Sequence, residues 1–451
     1  MIKNAFMTHS SSRHRTLLAI ALPMILANIS QPILGLVDTA VLGHLGAPEY
    51  LAGTAVGAFL LSQLYWLCGF LRQSMTGLSA QAKGAQTESG QLDDLSRAML
   101  VAFAIGLTLI ISHVGLISLI LRMTELPTLA AQSLDTYLSI RMLNAPIALF
   151  NLITIGYLVG QQHTRYVMWL QVGVNVLNIA LNFAFVYGLS LGVAGVAYAT
   201  VIAEWVMFIL SLHMIIRATP IAQRLSQQWW QLARFVRILK LNRDLFLRAL
   251  MLQACLAFLI YQGARYGVTE AAVNAILMQF FILTALALDG IAYAIEAMIG
   301  EQEGARQTAK ATHGLWRDIK VSLVWSNAFG LALMLIMALG YTSFVAILTN
   351  QESVRLAAEP YYFIMVLLPW LAHWCYCLDG IYIGLTRGDV MRNSMVISAL
   401  VGFFGVFWLM QDAQNMALWF ALLGLQALRG LTLGGHLYGH YRQQNKLKVS
   451  D

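Results

Sequence analysis

Asp38 is the residue whose type and surroundings point most directly to chemistry, because it lies within a long apolar segment. The stretch QPILGLVDTAVLG carries this one carboxylate, and Gln31 lies seven positions before it on the same face of a helix. If the segment spans a bilayer, a charge there costs about 2.5–3.5 kcal/mol on insertion scales. Such a carboxylate is expected to face a wet pocket, where it can take up and release a proton.

Three asparagines form a polar stripe on a later apolar segment, VNVLNIALNF. Asn175, Asn178 and Asn182 stand at positions i, i+3 and i+7, which share one face of an α-helix. Amides of this kind can simply hold helices together, at about 0.6–2 kcal/mol each. Three of them in one stripe favour a polar, hydrated pocket beside Asp38.

Four further residues extend this group. Thr200 and Glu204 are four residues apart on the next apolar segment and share a helical face. Glu204 and Arg72 are candidate partners in buried ion pairs, because lipid-facing charges are nearly excluded from membrane spans. Pro23 precedes Asp38 on the first segment, and a proline inside a helix removes a backbone hydrogen bond and permits a bend. The first segment is therefore predicted to carry both a hinge and a titratable group.

A second acidic set lies later in the chain. Asp289 and Glu296 are seven residues apart in LDGIAYAIEAMIGE, and Asp379 lies in YCLDGIYIG. These carboxylates are candidates for a second proton or cation site. They are equally candidates for partners of basic residues such as Arg265 and Arg429, and the sequence leaves both interpretations open.

The elements that must position these residues are membrane-spanning helices. Apolar types make up 59% of the 451 residues, charged types make up only 11%, and the mean hydropathy is +0.68. Apolar stretches longer than about 18 residues, the length that crosses a bilayer, recur along the chain and predict an all-α integral membrane protein with twelve spans. The predicted spans are residues 16–42, 50–80, 96–121, 128–160, 165–188, 192–216, 244–267, 271–299, 319–347, 354–385, 393–410 and 414–438.

The basic residues support twelve spans. With that number, 22 of the 28 lysines and arginines fall on connections that share one side of the membrane. The positive-inside rule places that side, and both chain termini, in the cytoplasm. The net charge of +7 then reflects topology and not nucleic-acid binding, and the N-terminal apolar run lacks the cleavage site of a signal peptide. We expect a multi-pass protein of the inner, or plasma, membrane.

The chain divides into two related halves. HRTLLAIALP and NRDLFLRALM enter the first and seventh spans, GLSAQAKGA and AMIGEQEGA close the second and eighth, and YLVGQQHTRYVM and GIYIGLTRGDVM follow the fourth and tenth. Six spans per half make these parallel repeats, which is a secondary-transporter architecture. We predict two pseudo-symmetric six-helix bundles around a central cavity, over residues 1–216 and 244–451, joined by a cytoplasmic linker over 217–243.

Catalytic and cofactor-binding motifs are absent from the sequence. It contains no Walker A pattern, no H-E-x-x-H and no G-x-S-x-G. Its four cysteines lie in apolar segments, where they act as small hydrophobic residues. We therefore expect no enzyme activity, no metal site and no cofactor, and transport energised by an ion gradient through the intramembrane ionisable groups.

Four stretches give the sequence a resemblance to a known family. They are ALPMILANISQPILGLVDTAVLGHLG, GFLRQSMTGLSAQAKGA, LDGIAYAIEAMIGEQEGA and YIGLTRGDVMRNS. With these stretches the chain resembles the multidrug and toxic compound extrusion (MATE) transporters over nearly its whole length, in particular the branch related to DNA-damage-inducible protein F. The resemblance implies twelve helices in two six-helix bundles, and export of amphipathic, often cationic compounds in exchange for protons or sodium ions.

The resemblance also implies roles for individual residues. Asp38 matches the family's first-helix carboxylate, and Pro23 matches its bending proline. The family's polar positions near that carboxylate fall on Gln31, Asn178, Asn182 and Thr200. Members of the family often carry an acid where this chain has Asn182, which leaves Asp38 as the one carboxylate of that cluster. A lone carboxylate among amides is a poorer sodium cage and a better proton carrier, because burial favours the neutral carboxyl.

Three functions remain open on this basis. The first is a secondary active multidrug exporter that runs on protons through Asp38, acts as a monomer, and has drugs, protons and lipid as its partners. The others are a sodium-coupled exporter of the same family and a flippase for lipid-linked substrates of the same superfamily. Five acids and four bases among nine intramembrane charges argue against the strongly cationic cavity of a flippase. Asp379 matches a tenth-helix aspartate of one family branch. Near the position of that branch's seventh-helix glutamate, however, this chain has the neutral Gln262, which weakens the case for a second cation site.

Overall fold

The protein is described by a computed structural model that covers residues 2–86, 92–219, 226, 229–308 and 314–449, with side chains from Arg13 to Arg442. Within these residues every regular element is a helix, and no β-strand is present. This confirms the predicted all-α fold. Helices are the expected solution for a single chain in lipid, since each helix satisfies its own backbone hydrogen-bonding groups.

Sixteen α-helices lie in the described part of the chain. The first eight are α1 (Ile2–Gly43), α2 (Pro48–Leu67), α3 (Phe70–Ala85), α4 (Asp93–Thr124), α5 (Thr128–Leu143), α6 (Ala145–Gly160), α7 (Thr164–Phe183) and α8 (Gly192–Ala218). The second eight are α9 (Leu232–Arg265), α10 (Val268–Gln307), α11 (Gly314–Leu348), α12 (Glu352–Ala358), α13 (Tyr362–Gly384), α14 (Gly388–Ile397), α15 (Val406–Leu409) and α16 (Asn415–Val449). Wider π-helical turns follow α7 at Ala184–Gly188 and α14 at Ser398–Gly405.

The predicted number of spans is confirmed. Eleven helical segments of the described chain are long and apolar enough to cross a membrane, and one bent pair brings the number to twelve. That pair is α5 and α6, which meet at an angle of 54°. Pro146 lies in the first turn of α6, where its fixed φ and missing N–H suit the start of a helix but not its interior. The fourth span is therefore broken at Asn144.

The chain folds as two compact units. The first unit contains Leu22–Asn242 and Glu303–Lys310, and the second contains Met1–Ala21, Arg243–Gln302 and Ala311–Asp451. Helix α1 thus contributes residues to both units, with the change falling between Ala21 and Leu22. The bundle boundaries inferred from sequence remain a prediction.

The predicted linker over residues 217–243 is only partly described. Its residues 220–225 and 227–228 lie outside the described part of the chain. Ser226 is held against the start of α4, because its backbone N–H and its hydroxyl donate to the Asp93 carboxylate at 3.0 and 2.6 Å. The chain therefore returns to the cap of an earlier helix before α9 begins.

The repeated segments YLVGQQHTRYVM and GIYIGLTRGDVM fold into the same kind of turn. Gln162 and Thr386 both adopt left-handed backbone conformations, with φ of 65° and 53°. In each turn the N–H of the following residue returns to the carbonyl five residues earlier at 2.9 Å, the hydrogen bond of a Schellman helix end. At the first turn, burial and the nearby Lys83 ammonium lower the pKa of His163, so this side chain is neutral at pH 7.

Small residues bring α3 and α6 of the first unit close together. A Cβ atom on Gly156 would lie 2.5 Å from the carbonyl oxygen of Arg72. A Cβ on Gly160, one turn later, would lie 2.5 Å from the carbonyl oxygen of Thr76. Two glycines four residues apart allow backbones to approach, as in other membrane helix pairs.

A buried polar cluster joins three elements of the second unit. Asn274 and Asn415 exchange side-chain hydrogen bonds of 2.7 and 3.0 Å. The Trp419 indole N–H donates to Asn274 Oδ1 at 2.8 Å, and Asn415 Nδ2 also donates to the Tyr361 hydroxyl at 2.7 Å. All four side chains are buried. Reciprocal amide bonds of this kind hold α16 against α10, because a buried polar group that loses its partner is costly.

Replacing Asn274 by alanine is expected to lower the free energy of unfolding by about 1–3 kcal/mol, because Asn415 and Trp419 lose buried partners. Thermal unfolding of the purified protein in detergent measures this. Asn393→Ala is the matched control, since Asn393 is exposed and, among the described residues, its side chain accepts only from the adjacent Arg392. Equal melting temperatures for the two variants would show that the cluster contributes no stability.

Candidate functional site

Asp38 ends a chain of hydrogen-bonded polar side chains in the first unit. Asn182 Nδ2 donates to Asp38 Oδ1 at 2.6 Å and to Asn178 Oδ1 at 3.0 Å. Asn178 Nδ2 donates to Thr200 Oγ1 at 3.2 Å, and that hydroxyl donates to the Val196 carbonyl at 3.1 Å. Asp38 is partly buried, whereas Asn182 is fully buried. The structure thus brings four of the predicted site residues into one network across α1, α7 and α8.

Local structure positions the amides of this network. Asn178 and Asn182 are one turn apart on α7, so the second can bond both to the first and across to α1. Asn182 lies in the last turn of α7, directly before the π-helical Ala184–Gly188. Turns of this wider kind occur inside α-helices, frequently at functional sites.

Two other predicted polar residues lie apart from this network. Asn175 Nδ2 donates to the Ser30 hydroxyl at 2.9 Å, and that hydroxyl donates to the Ala27 carbonyl at 2.7 Å. Gln31 is exposed, and its side chain makes no hydrogen bond with another described residue. The helical spacing that relates Gln31 to Asp38 therefore does not bring Gln31 into the hydrogen-bond network of Asp38.

Asp38 forms no ion pair with any described side chain, although a buried arginine lies within electrostatic reach of it. This is Arg141, whose guanidinium pairs with Glu204 through contacts of 2.8 Å (Nη1 to Oε2) and 2.9 Å (Nη2 to Oε1). Asn144 Nδ2 also donates to Glu204 Oε2, at 2.5 Å. Of the two predicted charge partners, Glu204 is thus held by Arg141, and Arg72 lies partly buried on α3.

Pro23, the predicted hinge, is buried inside α1. The helix continues through Pro23 and Pro32 to Gly43 without interruption. Because proline has no N–H, the carbonyl four residues earlier loses its helical partner, and the helix is weaker there. Pro23 lies two residues after Ala21, where α1 passes from one compact unit to the other.

The second predicted acidic set has a different setting. Asp379 Oδ2 accepts hydrogen bonds from both Arg248 and Arg429, and all three side chains are largely buried. Glu296 is buried on α10, and Asp289 is partly buried on the same helix. For Asp379 the geometry therefore favours ion pairing over an open cation site.

Metal coordination finds no support in the described residues. Among them, no group of three or more His, Cys, Asp or Glu side chains is arranged to hold a metal ion. Cys68, Cys255, Cys375 and Cys377 are all buried and free.

Comparison with known proteins gives this geometry a context. The family model described as MatE matches residues 23–184. DNA damage-inducible protein F of Escherichia coli (strain K12) is 40% identical over 441 residues, which cover 97% of this chain and 94% of that protein. The chain belongs to the MATE family. It is therefore a multi-pass membrane transporter of a multidrug-efflux family.

More distant MATE relatives agree with this assignment. Multidrug resistance protein MdtK of Photorhabdus laumondii is 25% identical over 361 residues, covering 77% of this chain and 78% of that protein. A solved structure described as MATE in the bent conformation has a TM-score of 0.84 and 19% identity, covering 97% of both chains. At that identity the solved structure supports the fold alone.

Two arginines at these sites have no role that the sequence alone assigns. In the sequence, Arg141 is one of nine intramembrane charges and has no evident partner. The Asn-Ala-Pro sequence that begins three residues later does predict a break in the helix. The sequence places Arg248 at the cytoplasmic edge of the seventh span. Helix α9 instead begins at Leu232, so Arg248 lies well inside it.

Proposed function

We propose that this MATE transporter exports amphipathic, often cationic compounds in exchange for protons, with Asp38 as the group that carries the proton. One observation carries the proposal: the carboxylate bonds to the Asn182 amide at 2.6 Å and forms no ion pair with a described residue. A carboxylate locked to an arginine would keep its charge throughout the cycle. A carboxylate beside a neutral amide can change its charge with little rearrangement.

The amide network offers hydrogen bonds to both forms of Asp38. Ionised, the carboxylate only accepts, and Asn182 Nδ2 supplies the donor. Protonated, the carboxyl becomes a donor, and Asn182 Oδ1 is a buried acceptor that has no partner among the described residues. Proton uptake can therefore reorganise the contact between α1 and α7 without leaving a buried group unpaired.

The transport cycle follows from this exchange. In the outward-open state a proton neutralises Asp38, the carboxyl rearranges its bonds to the asparagines, and α1 bends near Pro23. The pocket then narrows and releases the compound outward. Inward opening releases the proton and admits a new compound. Coupling requires only that proton and compound favour different states of the same pocket.

Sodium coupling and flipping of lipid-linked substrates are the alternatives. Sodium is the less favoured ion, because hard cations prefer several oxygen ligands and often more than one carboxylate, whereas the Asp38 network contains one carboxylate. A lipid-linked pyrophosphate would need an excess of basic groups. The intramembrane charges that the sequence predicts in the first unit are Asp38, Glu204, Arg72 and Arg141, which are two acids and two bases and balance.

We further propose where the transporter lies and in which oligomeric state it acts. The positive-inside bias places both termini in the cytoplasm of a cell whose inner membrane holds the transporter. We propose that the protein acts there as a monomer, with both repeats of the transporter supplied by one chain.

The test is ethidium transport by purified protein in proteoliposomes under an imposed pH or sodium gradient. Wild-type protein is expected to transport on the pH gradient, and Asp38→Asn is expected to fall to the level of empty vesicles. Asp135→Asn is the matched control, because Asp135 is an exposed acid on α5. Transport by Asp38→Asn on a pH gradient at the wild-type rate, or wild-type transport on sodium alone, would refute the proposal.

A further inference from the structure

A second charged group is built next to the Asp38 network. The Arg141–Glu204 pair is largely buried, with 7% of the arginine side chain and 19% of the glutamate side chain exposed. Asn144 donates to the Glu204 carboxylate, and Asn151 Nδ2 donates to the Glu204 backbone carbonyl at 2.9 Å. The broken fourth span thus supplies Arg141 at the end of α5, Asn144 at the break and Asn151 on α6, all directed at one residue of α8.

Helical spacing ties this pair to the carboxylate. Glu204 lies one turn after Thr200, the end of the amide network, on α8. Arg141 lies one turn after Tyr137 on α5, and both side chains are within electrostatic reach of Asp38. Any movement of α1 against α5 and α8 therefore changes the distances from Asp38 to two opposite charges.

The other titratable groups near this cluster are neutral at physiological pH. They are Tyr137 on α5, together with Tyr65 and Cys68 at the end of α2. Helix α7 contributes the amides of Asn178 and Asn182 and no charge. Arg141 is thus the charge among the described residues that acts on Asp38, and Glu204 acts through its ion pair with Arg141.

We propose that Arg141 and Glu204 are positioning residues that set the charge balance under which Asp38 gains and loses its proton. This rests on the proposed role of Asp38 as the proton carrier. The guanidinium favours the ionised carboxylate, and the glutamate offsets the guanidinium, so that Asp38 remains able to take up a proton. The group of three carries a net charge of −1 with Asp38 ionised and zero with Asp38 protonated, which admits a cationic compound only in the first state.

Removal of the charge at Glu204 and removal of the charge at Arg141 are expected to shift the titration of Asp38 in opposite directions. Glu204→Gln leaves the Arg141 charge without its partner, which favours ionised Asp38 and moves its titration to lower pH. Arg141→Met leaves the Glu204 charge unbalanced, which opposes a second negative charge and moves the titration to higher pH. Each shift is expected to be about one pH unit, the effect of a neighbouring charge within a few ångströms. The double variant removes both charges and is expected to return towards the wild-type midpoint.

Infrared pH-difference spectroscopy on the purified full-length protein measures this without any transported compound. The band of the protonated Asp38 carboxyl is identified by its loss in Asp38→Asn, and its midpoint pH is then compared among the variants. Arg141→Lys keeps the charge and is expected to keep the midpoint, even if the altered geometry slows transport. If Arg141→Met fails to fold, Glu204→Gln and Arg141→Lys carry the test. Asp389→Asn, in an ion pair exposed by 48% on each side, is the matched control and is expected to shift nothing.

Two results would overturn the inference. One is a common shift, or no shift, for Glu204→Gln and Arg141→Met, which is what a purely structural pair predicts. The other is the absence of any titrating band that depends on Asp38. The second result would also count against Asp38 as the proton carrier, whereas the first would leave that role intact. The proposed function has its own readout, which is ethidium transport by Asp38→Asn under a pH gradient.

Discussion

Asp379→Asn is expected to destabilise the protein by about 3–5 kcal/mol, since removal of one partner from a buried ion pair leaves the remaining charge uncompensated. Here two guanidiniums, those of Arg248 and Arg429, share Asp379 Oδ2. Only 11% and 3% of these arginine side chains are exposed, so water cannot replace the carboxylate. Reduced yield from membranes and a lower melting temperature in detergent are the measurements.

Asp389→Asn is also the matched control for this stability experiment. Asp389, in the first turn of α14, pairs with Arg387, the residue just before that helix. The pair is exposed, and pairs of that kind contribute about 0–1 kcal/mol. Asp379→Asn combined with Arg248→Leu is expected to recover part of the loss, because one uncompensated charge is removed. An Asp379→Asn protein as stable as wild type would show that the carboxylate is not required to balance the arginines, and would reopen its interpretation as a cation site.

Gly156→Ala is expected to lower the free energy of unfolding by about 1–3 kcal/mol, the usual cost of overpacking. The added Cβ would lie 2.5 Å from the Arg72 carbonyl oxygen and 3.2 Å from the Arg72 carbonyl carbon and Cα. These are backbone atoms of α3, so the contact is relieved only if the two helices separate. Thermal unfolding in detergent measures the loss.

Gly173→Ala tests the same substitution where there is room for it. A Cβ on Gly173 meets no atom within 4 Å, and the residue lies inside α7. Alanine is favoured over glycine in a helix by about 0.8–1 kcal/mol, so this variant is expected to be slightly more stable than wild type. Opposite signs for the two variants support close packing of α3 on α6. A gain in stability at both positions would contradict it.

The sequence alone predicts the membrane-spanning helices and the polar residues of the Asp38 network. Apolar length predicts the twelve spans, because the bilayer fixes how long a crossing helix must be. The spacing of Asn178 and Asn182 predicts a polar face on α7, and the cost of a lone charge predicts that Asp38 needs polar neighbours. Both expectations require only local geometry and the energetics of burial.

The sequence alone does not predict which charged residues pair with each other. Arg141 meets Glu204 because the fourth span bends by 54° at Asn144, and neither the angle nor the neighbouring helix is encoded in local spacing. Arg248 is similar, since a basic residue near a predicted span edge is expected to be exposed, whereas its side chain is only 11% exposed and pairs with Asp379 on α13. Such pairs depend on which helices pack together, and the spacing of residues within one helix does not show which helices are its neighbours.

The matching turns at Gln162 and Thr386 have a consequence for ancestry. Two left-handed residues with the same hydrogen bond at corresponding places favour descent of both halves from one duplicated gene. A six-span ancestor crosses the membrane an even number of times and would have paired with an identical copy in the same orientation. The repeat relates the first span to the seventh and the fourth to the tenth, so Asp38 and Asp379 do not occupy corresponding positions. The amide-lined centre around Asp38 and the arginine-bound centre around Asp379 are therefore not two copies of one ancestral site, and each half acquired its own buried carboxylate.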